Sequence, residues 1–413
     1  MTNLFKEVFK RLFQVFIFLL PVQLGYHFWP EWAFVFGIRV DYLSPTLYLT
    51  DVLFLILFLL FLITQKAGKK AIIWGFVAIS VFGAINSFSA LSFQPAVYKW
   101  IKIFELFCLA ALVARSKQLR AGEWIAKPLL FSLGMVALIG IAQVVKGGSL
   151  GGIVYFLGER AFSLSTPGIA LTSLGGRELL RAYSIFSHPN SLAGFLGAGI
   201  ILSSPLLFRA KRTLNLVLLA IILFAFVLTF SLAPAISLLV VLTILLFFRK
   251  NSAKLSKLAK GLLFLLATIS IALPLIASRG RDIAKQWGES YSGRVDLAVS
   301  SGRMFSEKPL FGIGLNNFTI SLPAKSVGHP FSWWLQPVHN IFLLSLSETG
   351  LTGFLVLVFL FYLALKNSSP RNKTVAAALL FILLTGFFDH YWLTLQQNQL
   401  LLAIILGLSF KNG

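Results

Sequence analysis

Between Ser278 and Val338 the chain concentrates polar chemistry against an apolar background. The stretch carries Arg279, Arg281, Arg294, Arg303, Glu307 and Lys308, and it runs into Pro337-Val338-His339-Asn340. Guanidinium groups bind phosphates through paired donors. A His at the point where such a segment meets the next apolar run is a candidate active-site residue. Arg160, Arg177 and Arg181 form a second cationic group within 146–183. Outside a membrane, the common phosphate-bearing substrates are lipid-linked: phospholipid headgroups or polyprenyl diphosphates. Taken singly, each arginine is more simply read as binding anionic headgroups or pairing with Asp282, Glu289, Asp296 or Glu307.

Polar residues inside apolar runs form a second group. Lys99, Lys102 and Glu105 are spaced to lie near one helical face. A Lys at the membrane centre costs about 2.5–3.5 kcal/mol on insertion scales, so a partner or a wet cavity is expected. The plainer expectation is a Lys102–Glu105 pair with Lys99 reaching outward, ahead of a substrate role for Lys102. Asp389-His390 reads as an interfacial helix end. There is no Asp-x-Asp, and the five His have no metal-ligand spacing. His188, His339 and His390 can meet only through the fold. Gly312-Ile313-Gly314 lacks the βαβ context of a nucleotide site and reads as a turn. Neither a metal nor a cofactor is expected.

The elements that must position these residues follow from composition. Of 413 residues, 57% are apolar and 12% charged, and the mean hydropathy is +0.85. A soluble domain is about 25% charged, so the chain reads as an integral membrane protein. A net charge of +22 would point to nucleic acid in a soluble protein. Here it is explained by loop charges, and no nucleic-acid partner is expected. The single Cys108 excludes a disulfide framework. Spans of about 20 apolar residues number about twelve. They fall near 12–28, 46–64, 71–93, 97–114, 126–145, 184–207, 214–231, 233–248, 259–277, 339–365, 374–391 and 395–410. The first resembles a signal peptide without a small-residue cleavage site, so it reads as a retained span.

Short basic connections follow every second span, such as Lys66, Lys69 and Lys70 after the second and Arg209, Lys211 and Arg212 after the sixth. The positive-inside rule makes these cytoplasmic, with both termini. The expected location is the inner (cytoplasmic) membrane, multi-pass. The expected fold is all-α and polytopic, a single domain over 1–413. Segment 278–338 is then a large periplasmic loop between spans nine and ten, and 146–183 a smaller one.

Three stretches carry a family resemblance. Arg181 through Asn190, followed by Ser191-Leu192-Ala193-Gly194, looks like the opening of a mid-chain span. Gly293-Arg294 and then Glu307-Lys308-Pro309-Leu310-Phe311-Gly312-Ile313-Gly314-Leu315-Asn316-Asn317-Phe318 look like a large periplasmic loop. Pro337-Val338-His339-Asn340 through Ser347-Glu348-Thr349-Gly350 looks like the return to the membrane. In this order and spacing the chain resembles the O-antigen ligase and polymerase superfamily, over roughly 180–360 by motif and throughout by topology.

The resemblance implies a GT-C-like membrane glycosyltransferase. Such an enzyme moves a glycan from undecaprenyl diphosphate to a hydroxyl of a lipid or glycan acceptor, on the periplasmic side, without metal. His339 matches the loop-end His, and a His suits a general base for the acceptor hydroxyl. Arg294 matches the loop Arg, and a guanidinium suits the charge of a departing diphosphate. Arg181, Lys102, Arg303, Asn340 and His188 are the substrate-binding candidates. There is one departure. The family commonly has Ser-Arg and a small residue where spans seven and eight meet, and here Phe230-Ser231-Leu232-Ala233-Pro234 puts Leu232 at the Arg position. Either Arg181 or Lys102 supplies that charge, or the activity is altered. These motifs do not separate ligase from polymerase. A transporter or lipid flippase is the non-enzymatic alternative, and it would show paired broken helices and repeat symmetry, neither of which the sequence displays.

Overall fold

Backbone amides of a long apolar run find no water in lipid, so the run must bond to itself as a helix. A computed structural model of the chain describes residues 3–64, 69–116, 119, 121–174, 176–207, 213–247, 261, 265, 268–272, 281–326 and 335–411. Helices dominate it. In chain order they are α1 (Asn3–Phe18), α2 (Leu49–Thr64), α3 (Lys69–Phe88), α4 (Phe93–Arg115), α5 (Lys127–Lys146), α6 (Pro189–Leu207), α7 (Thr213–Leu228) and α8 (Leu232–Phe247). There follow α9 (Arg281–Glu307), α10 (Phe318–Lys325), α11 (Ile341–Arg371), α12 (Lys373–Gly386), α13 (Tyr391–Thr394) and α14 (Gln396–Ser409). A π-helical turn, Ala121–Ala126, leads into α5.

Among the described residues, three helical stretches are long and apolar enough to cross a membrane: Ala121–Lys146, Pro189–Leu207 and Ile341–Ser368. Five shorter apolar helices accompany them. This is fewer than the expected count of about twelve. Helices such as Leu49–Ile63 and Thr213–Leu228 stop short of 18 residues, and the span expected at 259–277 lies largely outside the described residues. Helix α6 is buried almost throughout. It packs against α5, α7, α8, α12 and α14. One apolar core joins these helices to α1, α2 and α4 through residues such as Phe13, Leu109, Leu133, Phe195, Phe381 and Ile404.

Three departures from the sequence reading matter. The fold is not purely helical. Gly25–His27 (β1) pairs antiparallel with Thr46–Tyr48 (β4), Phe34–Val35 (β2) with Ile38–Arg39 (β3), and Leu171–Leu174 (β5) with Arg177–Leu180 (β6). The span expected at 12–28 therefore ends at Phe18, because 25–27 is extended and bonded to 46–48. The segment expected to be a loop at 278–338 is largely helical, as α9 and α10. Leu297, Ser300, Ser301 and Met304 of α9 are buried at helical spacing. Ser301 donates to the Leu343 carbonyl of α11 at 2.9 Å.

The turn between α9 and α10 is fixed to a break in α11. Gly350 interrupts the helix at φ 65°. Its freed backbone groups are taken up by 309–314: Ile313 N donates to Ser347 O (3.0 Å), Gly314 N to Glu348 O (3.1 Å) and Leu351 N to Pro309 O (2.8 Å). Asn86 of α3 closes the same joint. Its amide donates to the carbonyls of Phe311 (2.7 Å) and Glu348 (3.0 Å), and its oxygen accepts from Trp100 Nε1 and Leu315 N, both at 2.9 Å. The Gly312-Ile313-Gly314 stretch is a turn, as expected, with φ of 71° and 103° at its glycines.

A Cβ at Gly312 would land on the backbone of Glu348 and Thr349, at a φ that side chains rarely adopt. Gly312→Ala is therefore expected to destabilise the protein by about 1–3 kcal/mol, the usual cost of a residue held in such a conformation. A lowered melting temperature in detergent checks this.

Candidate functional site

At one end of the helices, three segments bring His339, Asp389 and His390 together. The first is the short stretch entering α11. Asn340 has extended backbone at φ −164°, so its side chain can cap the helix, and Oδ1 accepts from Phe342 N (2.8 Å) and Leu343 N (3.0 Å). Its Nδ2 donates to Phe387 O at 3.1 Å. Asn340 thus serves as a cap and brace that fixes the preceding residue, His339. The second segment leaves α12 at Gly386 and carries Phe387, Phe388, Asp389 and His390 before the short α13. The third opens α6 at Pro189 and Asn190.

Asp389 lies at the centre and is only 7% exposed. Its Oδ1 stands 3.5 Å from His339 Nδ1, an ion-pair separation longer than a full hydrogen bond. Oδ1 also accepts from the backbone N of His390 at 2.8 Å, and Oδ2 accepts from Asn190 Nδ2 at 3.0 Å. Burial alone would raise its pKa. The contact with His339 and the nearby imidazoles outweigh burial, so the carboxyl is held well below its ordinary value. His390 stands with its ring centroid 5.1 Å from that of His339, and its Nδ1 lies 2.8 Å from Thr394 Oγ1. Burial lowers its pKa from 6.5 to about 4. Asp389 opposes this, and His339, Arg294 and Lys99 reinforce it.

Arg181 is the cation nearest the α7–α8 turn. Its Nε donates to Thr229 O at 2.7 Å, and its Nη2 donates to Asn190 Oδ1 (3.0 Å) and Ser231 Oγ (3.2 Å). Burial lowers its pKa to about 10, which leaves it charged at neutral pH. Leu232 follows Ser231 directly, so the Arg181 guanidinium is anchored next to the residue noted in the sequence as the departure from the resemblance. Arg294 of α9 reaches the same end of the molecule, where its Nη1 donates to Phe388 O at 3.4 Å. Its charge acts on both Arg181 and His390. His188 is exposed, accepts from Asn190 N at 3.2 Å and faces Tyr183 edge-on.

Two candidates stand apart. Arg303 follows Arg294 by nine residues, about two and a half turns or 13.5 Å along the helix, which puts it on the opposite face. There it donates to Lys325 O at 3.4 Å and lines a groove with Val299, Ser306, Glu307 and Lys325. Lys102 is buried between Asp51 and Glu105. The expected pair with Glu105 is present, and Asp51 joins it. Lys99 does not reach outward. It is 7% exposed and points to Gln399 Oε1 at 3.5 Å. Arg160 donates to Ser187 O at 2.8 Å. Arg279 lies outside the described residues.

Asp389, Asn190 and Ser231 were not among the site residues expected from sequence. Asp389 offered a signal: an acidic residue at the end of a long apolar run is a functional hypothesis by default. The plainer reading as an interfacial helix end hid it. Ligand atoms of His339, Asp389 and His390 lie within 4.8 Å of one another. Two imidazoles and a carboxylate are a donor set that a divalent metal accepts. Both Asp389 oxygens already accept N–H bonds, and His339 Nδ1 stands 3.5 Å away, so the trio reads as a charge cluster. Such a cluster can hold an imidazole in one orientation and take up a proton beside two guanidinium groups.

Acid should loosen this cluster. The folded pKa of His390 is below its ordinary value. Between about pH 4 and 6.5 the unfolded chain therefore binds more protons, and the stability this residue contributes is full above 6.5 and is lost as pH falls through the window. The melting temperature is expected to fall from pH 7 to pH 5, and His390→Gln to flatten that fall. Melting curves of both proteins at the two pH values check it.

No curated protein matches the chain. Residues 216–358, which run from α7 into α11 and include Ser231, Arg294 and His339, match the family profile described as O-Antigen ligase, which supports the resemblance to the O-antigen ligase superfamily.

Proposed function

We propose that this protein transfers a glycan from undecaprenyl diphosphate to an acceptor hydroxyl at the periplasmic face of the inner membrane, without metal, in the manner of an O-antigen ligase. The observation that carries this is the buried Asp389 carboxylate standing 3.5 Å from His339 Nδ1, close to Arg181 and Arg294. His339 takes the proton of the acceptor hydroxyl as general base. The hydroxyl oxygen bonds to the anomeric carbon as the bond from that carbon to the diphosphate oxygen breaks. The electron pair leaves on the diphosphate. Arg294 and Arg181 stabilise the charge that develops there, from positions fixed before the reaction. Asp389 stabilises the protonated imidazole and fixes its orientation.

Arg181 also answers the departure at Leu232. Its guanidinium is anchored to Thr229 and Ser231 at the same turn, so the charge is supplied from the loop before α6 rather than from the turn itself. This favours an active enzyme over a lost one.

Purified protein, lipid-linked glycan and an acceptor lipid provide the test. His339→Ala is expected to bind the donor normally while transferring glycan about 10²–10⁴-fold more slowly. Arg294→Lys is expected to lose about 10²–10³-fold, because an ammonium keeps the charge but not the paired contact. Near-wild-type turnover in His339→Ala would remove it as the base.

A further inference from the structure

A second polar cluster lies among the helices and has no part in the chemistry above. Asp51 is in the first turn of α2, Lys102 and Glu105 lie on α4, and Gln396 opens α14. Lys102 Nζ contacts Asp51 Oδ2 and stands 3.2 Å from Glu105 Oε2. The three side chains are only 9–14% exposed. Among the described residues, three donors in all face Asp51. Its Oδ1 accepts from Gln396 Nε2 at 2.6 Å, and its Oδ2 also accepts from Tyr48 N at 3.0 Å. Glu105 differs. Its Oε1 is buried and meets no donor among the described residues, while its Oε2 and Asp51 Oδ2 converge on the one ammonium of Lys102.

Two ionised carboxylates have only acceptors and cannot bond to each other. The charge count agrees. Asp51 and Glu105 bring two negative charges to one ammonium. Lys99 on α4 and Glu348 on α11 interact with each other, one basic and one acidic group. The other titratable groups facing the cluster are Tyr48, whose ring lies 5.4 Å from Lys102 Nζ, Tyr98 and Cys108, all neutral at physiological pH. One negative charge is left over in an apolar layer, where an unpaired ion is strongly disfavoured.

We infer that Asp51 and Glu105 hold one proton between them, so that this pair is an intramembrane proton-binding site separate in its residues from the His339 cluster. The proton supplies the donor that Glu105 Oε1 lacks and cancels the surplus charge. Gln396 ties the pair to the short segment carrying Asp389, His390 and Thr394. The site does not depend on which substrate the protein uses.

Infrared difference spectroscopy on the full-length protein in lipid at neutral pH tests this. Wild type minus Glu105→Gln is expected to show the C=O stretch of a protonated carboxyl, shifting down in D2O. Wild type minus Asp51→Asn is expected to show the same band, because removing either partner ends the sharing. Glu105→Gln makes the neutral state permanent and is expected to keep the wild-type melting temperature. Absence of the band from the Glu105→Gln difference spectrum would mean that both carboxylates are ionised and would overturn the inference, even if Asp51→Asn failed to fold. A band lost in only one of two folded variants would overturn the sharing.

Discussion

A carboxylate buried among apolar helices must be surrounded by donors or it will not stay ionised. Asp389 meets that demand with groups from three separate segments: His339 before α11, the backbone of His390 after α12, and Asn190 at the start of α6. The constraint then propagates. Asn190 spends its amide nitrogen on Asp389, so its oxygen is free to accept from Arg181 and Ser231. One buried anion thereby sets the place of an imidazole on one side and of a guanidinium on the other. Arg294 enters from α9 and closes the ring through Phe388 O.

Rigidity behind the cluster comes from the broken helix α11. Its N-terminus is capped by Asn340, and its break at Gly350 is filled by 309–314 and held by Asn86. Glu348, two residues before the break, accepts from Tyr42 Oη at 2.9 Å and Phe318 N at 3.0 Å, so the start of α10 and the β2–β3 region are tied to the same helix. A broken helix at membrane depth survives only when protein satisfies its backbone, and here neighbouring segments do so. The start of α11, where His339 is poised, is therefore held by side chains at both its cap and its kink.

Much of this was legible from sequence, for identifiable reasons. Hydropathy located most of the helices because an apolar run of that length has few other options. His339 and Arg294 were found because their motifs keep their spacing. The Lys102–Glu105 pair was readable because i,i+3 neighbours share a helix face. Its third member, Asp51, was not, since it lies on another helix and only packing joins them. Helix α9 was taken for loop because Ser300 and Ser301 are among its buried positions, and they hide an otherwise regular helical stripe from a hydropathy scan. Asp389 was seen and undervalued. Two of the three groups around it lie about 50 and 200 residues away in sequence, beyond what local pattern conveys.

If Asp389 matters by holding and stabilising the His339 imidazole, the two residues act as one unit, and losses from a unit do not multiply. The direct measurement is a double-mutant cycle on the glycan-transfer rate with His339→Ala, Asp389→Asn and the combined variant, each at matched folded protein. The combined variant is predicted to be no slower than His339→Ala alone. A combined loss equal to the product of the two single losses would mean that Asp389 acts independently of His339, and would contradict the His339–Asp389 unit on which the proposed chemistry depends.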